Sequence, residues 1–173
     1  PDGRLFVERL GRGMEMLVAL DPGAAEIIIG TVAHALQTEA DANRPIIEDS
    51  YRFILDTLDP HVRKMEYLFG SRPSLADFGL FGQLQILSVD PTPMMEMRER
   101  APDVYCWLLR LDDASGVEGE WLAADAPLPD GVTALLKHCG ETYLPFLAAN
   151  RAALESGAPS VDLDILGRPW SQA

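Results

Sequence analysis

Residues that bind metals or act as nucleophiles are scarce. The 173-residue chain has three histidines, His34, His61 and His138, and two cysteines, Cys106 and Cys139. No histidine has a second histidine or a cysteine three or four positions on, so no helical His–His or His–Cys metal pair is present. His138 and Cys139 are adjacent, which on a helix turns them about 100° apart and away from a shared ligand. The cysteines form no CxxC, which excludes a thioredoxin-type redox motif and points to reduced thiols in the cytoplasm. Cys106 falls in an apolar stretch and is expected in the core. No Gly-x-Ser-x-Gly is present, and Gly11-Arg-Gly13 lacks the third glycine and preceding strand of a phosphate-binding loop.

Long apolar runs are also missing. The best candidate, Ala24 to Ala35, is too short to cross a bilayer and is interrupted by Glu26, Gly30 and His34. No basic start followed by an apolar core marks a secretory leader. Because the chain begins at Pro1 and not Met, its natural start is expected to be missing, processed or engineered away. Positive charge is in short supply: 14 Lys and Arg face 27 Asp and Glu, a formal charge of −13. An acidic surface without a basic run repels phosphates and anionic lipid, so neither nucleic acid nor membrane is expected as a partner. Leu111 to Asp130 holds six acids and no Lys or Arg, yet lacks the spacing of a calcium loop and reads as a solvated loop.

Helical periodicity fills most of the remainder. Residues 4 to 20 and Ala24 to Ala42 each carry apolar residues at helical spacing, with Asp21-Pro-Gly23 as a stop between them. Asn43, or Arg44 before Pro45, is read as the start of a third helix that Asp59-Pro60 should kink or end, with an extra turn to about Met65. Short helices follow at Thr92 to Arg98 and from Ala101-Pro102 to Asp113. A long one runs from Gly131 to about Glu155, bent at Pro145 and closed by Gly157. Val161 to Ile165 alternates like a strand with no partner evident, and Leu166 to Pro169 reads as a turn. One helical domain over residues 1–173 is expected, with its core at about 20–156 and an extended tail at 157–173.

The most informative stretch is Ser74-Leu-Ala-Asp77. Its spacing is that of a capping box, [ST]-x-x-[DE] before an apolar run. The Asp77 carboxylate can reach the Ser74 N–H while lying at the positive end of the helix dipole. The following helix, Leu75 to Val89, is apolar nearly all round and is therefore expected at the centre of a bundle. Gly79 and Gly82 cost roughly 1 kcal/mol each against Ala, and close approach of a neighbouring helix would explain them.

With Leu68, Gly70 and Ala76, this segment resembles the C-terminal, all-helical domain of the glutathione S-transferase family. Ala101-Pro-Asp-Val-Tyr-Cys-Trp-Leu-Leu-Arg-Leu111 resembles the helix that follows there. The two segments cover about a quarter of the chain, and the looser helical pattern extends to roughly residues 20–155. The resemblance implies an all-α bundle of that type with a short extended tail, in which Ser74 and Asp77 are structural. It also implies a transferase-like function. The chain would form the wall of a hydrophobic co-substrate site, with Phe6, Met14, Val18 and His34 as candidate lining residues. Glutathione and a hydrophobic electrophile would be substrates, and a homodimer would be possible. The thioredoxin-like domain that supplies the catalytic residue in that family is expected to be absent from this chain, so no catalytic residue is assigned and the chain alone is expected to be inactive. The alternatives are a stand-alone helical protein–protein interaction module and a metal- or thiol-dependent enzyme.

Overall fold

A computed structural model describes the backbone of residues 22–172 and the side chains from residue 41 onward. The described chain is mostly helical. The helices are α1 (Pro22–Met65), α2 (Leu75–Val89), α3 (Pro91–Arg100), α4 (Pro102–Asp112), α5 (Asp130–Glu141) and α6 (Tyr143–Ser156), followed by β1 (Val161–Ile165) and β2 (Arg168–Gln172). Packing divides the described residues into two compact units, residues 48–145 and residues 22–47 with 146–172.

The larger unit has its own core. Leu55, Leu58 and Val62 of α1 meet Leu84 of α2, Met97 of α3, Val104, Trp107, Leu108 and Leu111 of α4, and Val132 of α5. On α4 these buried residues recur at three- and four-residue spacing, the signature of one apolar helix face. Cys106 lies off that face and is exposed, which corrects its expected core position.

The connection from α1 to α2 is fixed by Asp77, which is fully buried. Its carboxylate accepts the Ser74 N–H (2.8 Å), the Ser74 hydroxyl (2.6 Å) and the Leu68 N–H (2.9 Å). The Asp77 N–H itself turns to the Ser74 carbonyl at 3.1 Å. The capping box therefore also captures a backbone donor from outside the helix. Residues 69–73 are pinned in turn by the 113–129 loop. Leu122 N–H donates to Phe69 O (2.8 Å), Ser71 N–H to Glu120 O (3.0 Å), and the Trp121 indole to Pro73 O (3.3 Å). The acidic loop is thus bonded down along its middle. Gly70, at φ +137°, and Gly119 sit where a Cβ would strike Glu120 O and Ser71 O respectively, so both positions need glycine.

Four expectations about the elements are corrected. First, α1 is one 44-residue helix through Pro45 and Pro60, with no new start at Asn43. Asn43 is buried and caps nothing; its amide donates to Ser171 O (2.7 Å) and accepts Ser171 N–H (3.3 Å), serving as a side-chain extension of the β2 edge. Second, α2 is not enclosed. Asp77, Leu84 and Ser88 are buried, but Leu75 is 89% exposed and Val89 69%, with Phe78 and Ile86 also exposed. Among the described residues a Cβ on Gly79 or Gly82 would meet nothing within 4 Å, so no described helix explains those glycines. Third, the long terminal helix is two helices that part at Thr142, whose N–H returns to His138 O (3.0 Å). The break precedes Pro145, which has no N–H to continue the ladder and so fits the first turn of a new helix. Fourth, the tail strand has a partner within the chain: β1 pairs antiparallel with β2, Val161 opposite Gln172 and Ile165 opposite Arg168. Leu166 (φ 53°) and Gly167 (φ 75°) make a two-residue turn with both φ values positive, which matches the twist of the strands.

Candidate functional site

Among the described residues, a cleft of about 650 Å³ opens between the C-terminal end of α1 and the segment leading into α5. Pro60, His61, Lys64 and Met65 line one side, and Leu122, Leu128, Pro129, Asp130 and Gly131 the other. His61 and Lys64 are three residues apart, which on a helix sets both side chains on one face. The 113–129 loop is held to residues 69–73 by the hydrogen bonds described above, and this carries Leu122 and Leu128 to the opposite wall.

His61 is only 7% exposed. A carbonyl oxygen can only accept, so its Nε2 donates to Tyr67 O at 3.3 Å. Nδ1 is left beside Gly131, where an added Cβ would lie 2.9 Å from it. Helix α5 starts there with Pro129 at its N-cap and no side-chain cap. Lys64 is distinctive in a different way. Arg52, Arg63, Arg100, Lys137 and Arg151 pair with carboxylates. Arg72 and Arg98 lie over Trp121 and Tyr105, and Arg110 donates to Glu66 O. Arg44 and Arg168 are engaged as well. Lys64 is the one described cation without a partner, in a chain with 27 acids.

Other reactive groups lie outside this cleft. Tyr51 donates to Pro93 O (2.9 Å), and burial, with the Glu96 charge adding to it, pushes its hydroxyl up to about 12. His138 stacks on Phe53, rings 4.4 Å apart at 24°, with Nε2 buried and unbonded. Cys139, next to it, is exposed. No group of three or more metal-ligating side chains occurs among the described residues. No described helix is long and apolar enough to cross a membrane.

Burial lowers the His138 pKa from its ordinary 6.5, with Glu141 opposing. The neutral ring is therefore favoured in the folded chain, while the unfolded chain takes the proton first as pH falls. The stability from keeping His138 neutral is fully present above about pH 6.5 and is lost as pH drops below it toward the folded value. His138→Phe keeps the stack and removes the titration. Denaturant unfolding between pH 7.5 and 5.5 should show a smaller acid loss in that variant than in the parent; equal losses would exclude His138 as the cause.

Of the residues read from sequence, Ser74 and Asp77 are brought together as a structural cap. Phe6, Met14 and Val18 lie outside the described residues, and so does the His34 side chain, although its backbone is in α1. The His61–Lys64 pair and its cleft were not singled out from sequence. The available signal was their three-residue spacing on one helix.

No protein-family model matches the chain, and no solved structure matches it significantly. A 47-residue stretch, 27% of this chain, is 66% identical to 15% of "Conjugal transfer protein TrbB" of Rhizobium radiobacter. A stretch of the same length is 57% identical to 14% of "Probable conjugal transfer protein TrbB" of Sinorhizobium fredii (strain NBRC 101917 / NGR234). The chain thus spans about 15% of the length of the curated relatives it matches. These matches overturn the transferase reading. The relatives are conjugal transfer proteins and not glutathione transferases, so the role given to this chain as the wall of a co-substrate site is withdrawn.

Proposed function

We propose that this chain acts in conjugal transfer. The observation that carries the reading is the 66% identity over 47 residues to a protein named for that process. The matched stretch is about a quarter of the chain.

Competition provides the test. Rhizobium radiobacter donors that express this chain should transfer their plasmid several-fold less often than donors with an empty vector. Deleting the matched 47 residues should restore the frequency. An unchanged frequency at comparable expression would overturn the reading.

For the unit of residues 48–145 we further infer a likeness of fold, without the chemistry, to the helical domain of glutathione transferases. The buried Asp77, bonded to both Ser74 and Leu68, supports it. Superposing an experimental structure of the chain on such a domain decides the point, and a different helix order in space would reject it.

A further inference from the structure

We propose that the outward face of α2 is the contact between two copies of this chain, packed antiparallel. Leu75 is 89% exposed, Val89 69%, Ile86 67% and Phe78 43%. Gly79 and Gly82 lie among them, and no described atom comes within 4 Å of where a Cβ would stand. Leu75, Gly79, Gly82, Ile86 and Val89 follow one another at steps of four, three, four and three residues. That alternation is the seam spacing by which two helices pack lengthwise. On a helix it falls opposite the buried Asp77, Leu84 and Ser88. The fold of one copy therefore leaves the seam uncovered among the described residues. Glycine also weakens a helix relative to alanine. Neither a positive φ nor a lack of room within one copy requires it at these two positions. Close approach of a second backbone does.

Pattern and charge both favour a second copy as the occupant. The seam complements itself. Reversed along the helix axis, it sets Ile86 of one copy against Gly82 of the other, and Val89 against Gly79. A two-fold axis repeats both contacts, as an isologous interface requires. Large side chains thus enter the gaps that the glycines leave. Charge acts in the same direction. The chain carries −13, so two copies repel each other over most of their surface. Asp77 is the only ionisable side chain of α2, and it is fully buried. On this face two copies meet without like charges, and a charged partner finds no opposite charge. The contact is small. A helix of 15 residues is about 22 Å long, and one seam of that length falls short of the ~800 Å² a side of a standard interface. The dimer is accordingly weak, half-formed at about 0.1–1 mM.

The proposal stands apart from the conjugal-transfer reading, and its test does not involve mating. Sedimentation velocity of the full chain should show a passage from one copy to two between about 10 µM and 1 mM. Gly82→Gln fills the gap that receives Ile86. The position has open space in the single copy and gains helix propensity. The melting temperature at low concentration should therefore hold or rise, while association weakens about tenfold or more. Ile86→Glu places a carboxylate from each copy at the contact and should abolish the dimer. Leu154→Gln, at an exposed position outside α2, should leave association unchanged. In a mixture of differently labelled copies, isotope-filtered NMR should join the Ile86 methyls to the Gly82 α-protons of another copy. A chain that stays single at the highest concentration, a dimer that both α2 variants leave intact, or equal weakening by Leu154→Gln would each overturn it. So would Ile86 contacts confined to its own copy, which would put another segment of the same chain, such as residues 1–21, on the face.

Discussion

Asp77→Ala should destabilise the protein by about 3 kcal/mol or more, well beyond the cost of losing an ordinary helix cap. Three donors converge on this fully buried carboxylate: the N–H groups of Leu68 and Ser74, and the Ser74 hydroxyl. Alanine supplies no acceptor. The Leu68 N–H, in a residue that is itself buried, is then stranded, and an orphaned buried donor costs about 1–3 kcal/mol by itself. The Ser74 N–H loses its partner at the start of α2, where first-turn donors have no alternative within the helix. Ser74→Ala removes only the hydroxyl, one of the three donors, and should cost about 1 kcal/mol. Asp77→Asn should fall between, because its amide offers one oxygen to several donors and turns an NH₂ toward the rest. Urea unfolding of the three variants measures the order. If Asp77→Ala costs no more than Ser74→Ala, the bond to Leu68 contributes nothing and the cap is purely local.

That bond also marks the boundary of what could be read from the sequence. The Ser74–Asp77 spacing is a local signal, and so is the helix it starts. The third donor comes from Leu68, across a turn whose path depends on Gly70 and on the 113–129 loop bonded to it, and spacing contains none of that. The exposure of α2 was misread for a related reason. An all-round apolar sequence says that a helix can be buried, not that a neighbour lies on each side, and the described residues place no contact at Gly79 or Gly82. Asn43 was read as a cap because capping is the local use of that residue; its actual partner, Ser171, is 128 residues away. The turn at Leu166 to Pro169 is legible, but the strand after it is not, because Pro169 argues against a strand. The candidate cleft was half legible. His61 and Lys64 share a helix face by spacing, but the opposite wall comes from residues 122–131 through loop closure. The functional expectation failed differently. It rested on a helical motif whose visible role is structural, and a motif that caps a helix says little about what the protein does.

Trp107→Ala should be as severe as the loss of Asp77, about 3–5 kcal/mol, while Trp107→Phe should cost about 1 kcal/mol or less. Trp107 is fully buried on the apolar face of α4 that packs into the core with Leu55, Leu58 and Met97. Truncation to alanine leaves the largest void available in that core, and closely packed neighbours on rigid helices collapse into it only in part. Phenylalanine loses far less volume and also changes the polar balance. The indole N–H of Trp107 is buried and meets no acceptor, a penalty that the native chain carries and the phenyl ring does not. The smaller void and the removed donor act in opposite directions, so the two substitutions should separate clearly in chemical denaturation. Comparable losses for both would mean that the indole N–H is bonded in solution, through a buried water that joins it to a neighbouring carbonyl. In that case Trp107 would hold α4 through a polar contact as well as by its bulk.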